Sequence, residues 1–206
     1  MLDTTTVRLL AAIMALGALG GIATFSRRRH ARGPREFRTE DNPPKILQVV
    51  WPLLVIVPQV YPFFVAALPD LAYAGVPRCT FPGDAIVQVA GLLLWALGGL
   101  LVVWAGRALG PFMMLQIAVA TDHRLIDTGP YAFVRHPTYT GMMGLAVGVA
   151  LVFLNPILLA LAVTAILVAN YRAHKEERLL ASPAGFGEAY RAYMARTGRF
   201  LPRPGK

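Results

Sequence analysis

Five stretches of the chain are almost continuously apolar, and short polar segments rich in proline or arginine separate them. They cover about 7–25, 46–68, 85–105, 138–154 and 157–171, and each approaches the ~20 residues that cross a bilayer. The apolar residues run together rather than alternating, as in a helix surrounded by lipid. The pattern predicts an all-α polytopic membrane protein with about five transmembrane helices. It is read as one domain over 1–206, with three spans before residue 105. Residues 69–84 hold Pro69, Pro77, Pro82 and Gly83 and one basic residue, which predicts a loop outside the cell. An eleven-residue apolar run at 110–120 is too short to span and reads as interfacial or re-entrant. Only Asn155-Pro156 separates the last two runs, so they form a helical hairpin. Gly141, Gly144 and Gly148 mark one side of the fourth span, where small residues let helices approach.

Composition supports this reading. Of 206 residues, 56% are hydrophobic and 15% charged, against roughly a quarter charged in an average soluble domain. The net charge of +9 suggests nucleic acid, but its distribution argues otherwise, since membrane topology explains it without that partner. Eighteen of the twenty Lys and Arg lie in three segments: 27–45, 107–135 and 172–206. Basic loops beside spans mark the cytoplasmic side and attract anionic lipid headgroups. Five spans then leave the N-terminus outside and the tail inside. One arginine precedes the first apolar run and a cluster follows it, so this run reads as a retained span rather than a cleaved signal. Cys79 is the sole cysteine, which excludes an internal disulfide and a cysteine metal site.

The candidate chemistry lies in "GPYAFVRHPTYTG", 129–141, and "HKEERLL", 174–180. Charged groups at membrane depth are costly and mark function. Arg135 and Glu176 are equidistant from the Asn155–Pro156 turn, so antiparallel helices rising ~1.5 Å per residue bring them to one height. This predicts a polar cluster of Arg135, His136, Tyr139, His174, Glu176 and Glu177 at the cytoplasmic surface. Pro137 suits the first turn of a helix, whose free N–H groups beside His136 attract an anion. Blander readings stay open: Arg135 as a snorkelling anchor, His136 as a cap, the glutamates as a solvated face, and Tyr131 and Tyr139 as an interface belt. No metal is expected, since no H-E-x-x-H pattern joins the histidines. No G-x-S-x-G turn suggests a hydrolase. In the tail, Phe186, Ala189, Tyr190, Tyr193 and Met194 fall on one helical face, as in a helix lying on a membrane surface.

From about 106 to 203 the chain resembles the isoprenylcysteine carboxyl methyltransferase family and its bacterial relatives. The resemblance rests on "GRALG", "HRLIDTGPYAFVRHPTYTG", the "NP" turn, "RAHKEERLL" and "FGEAYRAYMARTGRFLP". Phospholipid N-methyltransferases share a similar end, and some NADPH-dependent sterol reductases share the R-H-P-x-Y-x-G region. The resemblance implies S-adenosyl-L-methionine in a cytoplasmic membrane-edge pocket within 106–206, with S-adenosyl-L-homocysteine as product. It places Gln116, His123, Leu125, Gly129, Tyr131, His136, Pro137, Tyr139, Glu176 and Glu177 around the cofactor, and Arg135 and Glu176 in catalysis. On this reading Arg135 holds an acceptor carboxylate through two hydrogen bonds. The implied acceptor is a lipid or lipid-modified small molecule from the bilayer, most simply a carboxylate on a prenyl-like tail. Alternatives are a phosphoethanolamine-type amine, a lipophilic thiol, an NADPH-dependent reduction, or a non-enzymatic scaffold. The oligomeric state is not legible.

Overall fold

The computed structural model describes residues 2–29, 37–38, 44–68, 70, 79–113, 117, 119–120 and 124–203. Among these are six α-helices: α1 (Thr4–Arg29), α2 (Lys45–Ala67), α3 (Asp84–Leu109), α4 (Pro137–Phe153), α5 (Pro156–Leu180) and α6 (Glu188–Arg196). Short 3-10 turns occupy Gly110–Phe112 and Gly129–Ala132. The one sheet among the described residues is a two-residue antiparallel ladder, Phe37–Arg38 against Val119–Ala120.

Three helices contain segments long and apolar enough to cross a membrane: Val49–Ala67, Asp84–Leu109 and Pro156–Leu180. The apolar runs Thr4–Gly20 and Pro137–Phe153 are shorter. Leu93, Leu97 and Leu100 on α3 are 59–67% exposed, and leucines in that number face outward where lipid is the solvent. Pro52, Pro58 and Pro62 all lie within α2, which continues through them. The chain is an integral membrane protein.

Helix α5 outlasts its apolar run. The hydropathy pattern ends at 171, yet the helix continues to Leu180. Arg172–Leu180 contains no glycine or proline to stop it. Twenty-five residues at ~1.5 Å each exceed a ~30 Å hydrocarbon core, so the last turns project beyond the lipid.

The hairpin turn is chemically defined. Leu154 adopts a left-handed conformation (φ 49°), and Asn155 caps α5 by accepting from the N–H groups of Ile157 (2.9 Å) and Leu158 (3.2 Å). Pro156 occupies the first helical position, where its missing N–H costs nothing. The Asn155 amide also donates to the Tyr61 hydroxyl at 3.1 Å, tying the turn to α2. Asn155→Ala is expected to lower stability by about 1–2 kcal/mol, and Asn155→Ser, which keeps a capping oxygen, by less. Equal melting of the two variants in detergent would contradict the cap.

The turn end holds the main core, where Val7, Met14, Val65, Val149, Val152 and Phe153 are fully buried. The most extensive helix interface joins α3 to α4. At Gly148 a Cβ would lie 2.7 Å from the Gly91 carbonyl oxygen, and at Gly141 2.6 Å from that of Gly98. The two glycine pairs share one antiparallel register, seven residues apart on each helix. The opposite end of the bundle brings together the start of α2, the ends of α3 and α5, and the start of α4.

Candidate functional site

A cavity of about 110 Å³ opens at this second end. Its apolar wall comes from Leu109 and Phe112, at the end of α3 and in the turn after it, with Met113, Ile126, Leu180 and Phe186. Arg135, His136, Tyr139 and Glu176 form its polar side. Gly110 ends α3 with φ 57°, a conformation that a side chain disfavours, and the chain then turns under the cavity. Of the run after Gly110, the described Met113 and Ile117 are buried, and Ile117 packs on Leu179; residues 114–116 and 118 lie outside the described residues.

The predicted meeting of the two polar motifs occurs, with one change of partner and without His174, which is exposed and does not line the cavity. Arg135 Nε donates to Glu177 Oε1 at 2.7 Å, so its carboxylate partner is Glu177 rather than Glu176. Arg135 Nη1 donates to the carbonyls of Met194 (3.2 Å) and Thr197. Three of the five guanidinium hydrogens are thus engaged, which leaves Nη2 rather than a two-pronged fork for any ligand. Glu177 is 3% exposed. It also accepts from Arg199 Nε (3.2 and 3.1 Å) and Nη2 (2.6 Å), and His136 Nε2 lies 3.3 Å away. A carboxylate so enclosed belongs to the frame of the site rather than to its open surface.

Glu176 has the open position. Its side chain is one-third exposed, lines the cavity and accepts from the Tyr139 hydroxyl at 2.9 Å. His136 Nδ1 lies 3.9 Å from the same carboxylate. The His136 ring stacks on Tyr139 with centroids 5.3 Å apart. Pro137 is buried at the first position of α4. The expected row of open N–H groups there is shortened, because His136 N–H donates to the Arg199 carbonyl (3.0 Å) and Arg135 N–H to Gly198 (2.8 Å).

Leu125 lines the cavity beside Tyr131, whose hydroxyl is 3.3 Å from Thr138 Oγ1. Gly129 (φ 61°) turns the chain against Trp104 and Ala108. Burial pushes the Tyr131 hydroxyl up to about 12 and also raises those of Tyr190 and Tyr193, so all three are neutral at physiological pH. Gln116 and His123 lie outside the described residues.

Three contributions went unread in the sequence. Trp51 of α2 is buried and meets Tyr139 edge-on at 5.3 Å, and the Arg172 guanidinium sits 5.6 Å over the Trp51 ring. An aromatic near a helix end reads as an interface anchor, so nothing in the sequence singled Trp51 out. Arg199 reads in the sequence only as part of the basic tail. The amphipathic tail does form a helix, α6, but Tyr190 and Tyr193 pack into the protein rather than onto lipid, and Phe186 precedes the helix. The Tyr193 hydroxyl donates to the Tyr131 carbonyl at 2.6 Å, which fixes that face inward.

Fold and site together define a helical integral membrane protein with a half-polar, half-apolar pocket at one end of its bundle. Residues 90–182, which include most of α3 and the two glutamates, match the model of the isoprenylcysteine carboxyl methyltransferase family. The likeness read from the R-H-P and E-E motifs is therefore shown for that segment. The protein-S-isoprenylcysteine O-methyltransferase of Tribolium castaneum is 30% identical over 90 residues, 43% of this chain and 31% of that protein. The solved structure of the eukaryotic intramembrane Ras methyltransferase ICMT shares the fold, with a TM-score of 0.52 at 24% identity. That match covers 77% of this chain and 51% of the solved one. The chain spans about a third of the length of its curated relative.

Proposed function

We propose that this chain is an S-adenosylmethionine-dependent membrane methyltransferase that esterifies a carboxylate on a lipophilic, prenyl-like acceptor. The observation that carries the reading is the placement of Glu176: an open carboxylate beside stacked aromatic rings, opposite an apolar wall, inside the family-matched segment. The donor set fits the cofactor, a sulfonium cation with a zwitterionic amino-acid end. Glu176 would accept from its amino group, and His136 would take its carboxylate. Tyr131 and Tyr139 line the cavity, and aromatic rings attract cations.

When bound, the cofactor supplies an electrophilic methyl whose sulfonium charge disappears on transfer. A carboxylate acceptor is already ionised at pH 7, so the protein's task is to align it, and alignment supplies much of the acceleration. The remaining Nη2 of Arg135 would orient the acceptor through a charge-assisted hydrogen bond. The wall of Leu109, Phe112, Met113 and Ile126 would take the start of the lipid tail and exclude water. The basic segments of the sequence support a pocket at the cytoplasmic face and a start of α1 outside, by the positive-inside rule. The beetle relative's name supports the prenyl-type acceptor.

Purified protein incubated with radiolabelled S-adenosylmethionine and a prenylcysteine analogue is expected to give a base-labile methyl ester. A base-stable label on an ethanolamine lipid would favour N-methylation instead. Stabilisation by NADPH with none from S-adenosylhomocysteine would end the proposal. Glu176→Gln is expected to weaken S-adenosylhomocysteine binding by about tenfold or more, the worth of one charged hydrogen bond.

A further inference from the structure

We infer that Arg199, in the segment after α6, is a positioning residue that sets His136 for the cofactor and Arg135 for the acceptor. The inference deepens the proposed function and rests on its reading of the cavity. Arg199 does not line the cavity. It holds His136 at two points. Its carbonyl accepts from the His136 N–H, and its guanidinium grips both oxygens of Glu177, the carboxylate against the His136 ring. Glu177 in turn fixes Arg135 Nε.

The segment around Arg199 is fastened to match. Gly198 bridges Val134 and accepts from the Arg135 N–H, and the Phe200 carbonyl accepts from Thr140 Oγ1 at 2.9 Å. Arg199 Nη1 donates to Asn170 Oδ1 at 3.1 Å, so α5 helps orient the fork. The backbone of 198–200 thus lies along the start of α4 as a short edge, and the Arg199 side chain bolts that edge to α5. A planar fork is required to span both Glu177 oxygens, which a single ammonium cannot reproduce fully. Arg196, by contrast, pairs with Asp127 at a half-exposed surface site away from Glu177.

The test compares Arg199→Ala, Arg199→Lys and Arg196→Ala in the full chain in detergent. Two readouts are used: S-adenosylhomocysteine affinity by calorimetry, and hydrogen exchange of the 134–140 amides without ligand. Arg199→Ala is expected to weaken affinity and speed exchange, each by about tenfold, the worth of a charged hydrogen bond. Arg199→Lys should recover part of both, and Arg196→Ala should change neither. Exchange unchanged in Arg199→Ala would overturn the inference whether or not the cofactor binds. So would an equal effect of Arg196→Ala, since that would mean generic tail docking. Wild-type protein that binds no S-adenosylhomocysteine refutes the proposed function, and the exchange result then decides the role of Arg199 by itself.

Discussion

Glu177→Ala is expected to cost about 3–5 kcal/mol, the penalty for removing one member of a buried ion cluster. The loss is large because of what stays behind. Arg135 has a side chain only 9% exposed and would keep its two carbonyl acceptors but lose its counter-charge. Arg199 would lose the partner of both Nε and Nη2. The 198–200 edge would then keep the Arg199–Asn170 hydrogen bond but lose its charged tie to the end of α5. In a domain of this size the change corresponds to a fall in melting temperature on the order of 10 °C. Glu177→Gln keeps the shape and one acceptor oxygen, so it should fall between. Thermal unfolding followed by tryptophan fluorescence checks the series. A Glu177→Ala protein that melts with the wild type would show that the cluster carries no stability.

The second large effect is expected at the glycine contacts of α3 and α4. Gly148→Leu places its Cβ 2.7 Å from the Gly91 oxygen and from the Trp95 backbone nitrogen and Cβ. Backbone cannot swing aside as a side-chain tip can. Overpacking in a tight interior costs about 1–3 kcal/mol and rises when rigid atoms collide, so leucine is expected at or above that range. In lipid, close backbone approach is much of what holds two helices together. Spreading them also moves the cavity, whose wall includes Leu109 from α3 and Thr138 and Tyr139 from α4. Gly148→Leu should therefore lose both thermal stability and S-adenosylhomocysteine binding. Gly99→Ala serves as the comparison. Its Cβ meets only Leu145 Cδ2 at 3.7 Å, and alanine is the better helix former by about 1 kcal/mol. Its melting temperature is expected to hold or rise. Matching losses in both variants would mean that the close approach is not what matters.

The helices were legible because lipid imposes continuous apolar runs, and the hairpin because Asn-Pro is both cap and first turn. Symmetry about Asn155–Pro156 brought Arg135 to the correct height. It could not choose between adjacent glutamates, since they lie ~100° apart around a helix of 3.6 residues per turn. Facing side determines the choice: Glu177 turns toward Arg135 and Arg199, and Glu176 toward the cavity. Gly141 and Gly148 were visible as small residues, but their partners Gly91 and Gly98 sit within a leucine-rich run where no pattern marks a face. The tail was misjudged for a related reason. Amphipathicity shows that one side of α6 avoids water, and protein and lipid satisfy that demand equally well. The contributions of Trp51 and Arg199 depend on contacts 88 and 22 residues distant in the chain, with Tyr139 and Glu177 respectively, and no local spacing encodes them.

The edge formed by 198–200 has a consequence in time. These residues follow all the long apolar helices among the described residues, and chains are made and folded from the N-terminus onward. During synthesis the apolar helices form while Glu177 still lacks one of its arginines and the start of α4 is unfastened. Assembly of a competent pocket is therefore a late event, separable from membrane insertion: the bundle is built first and armed afterwards.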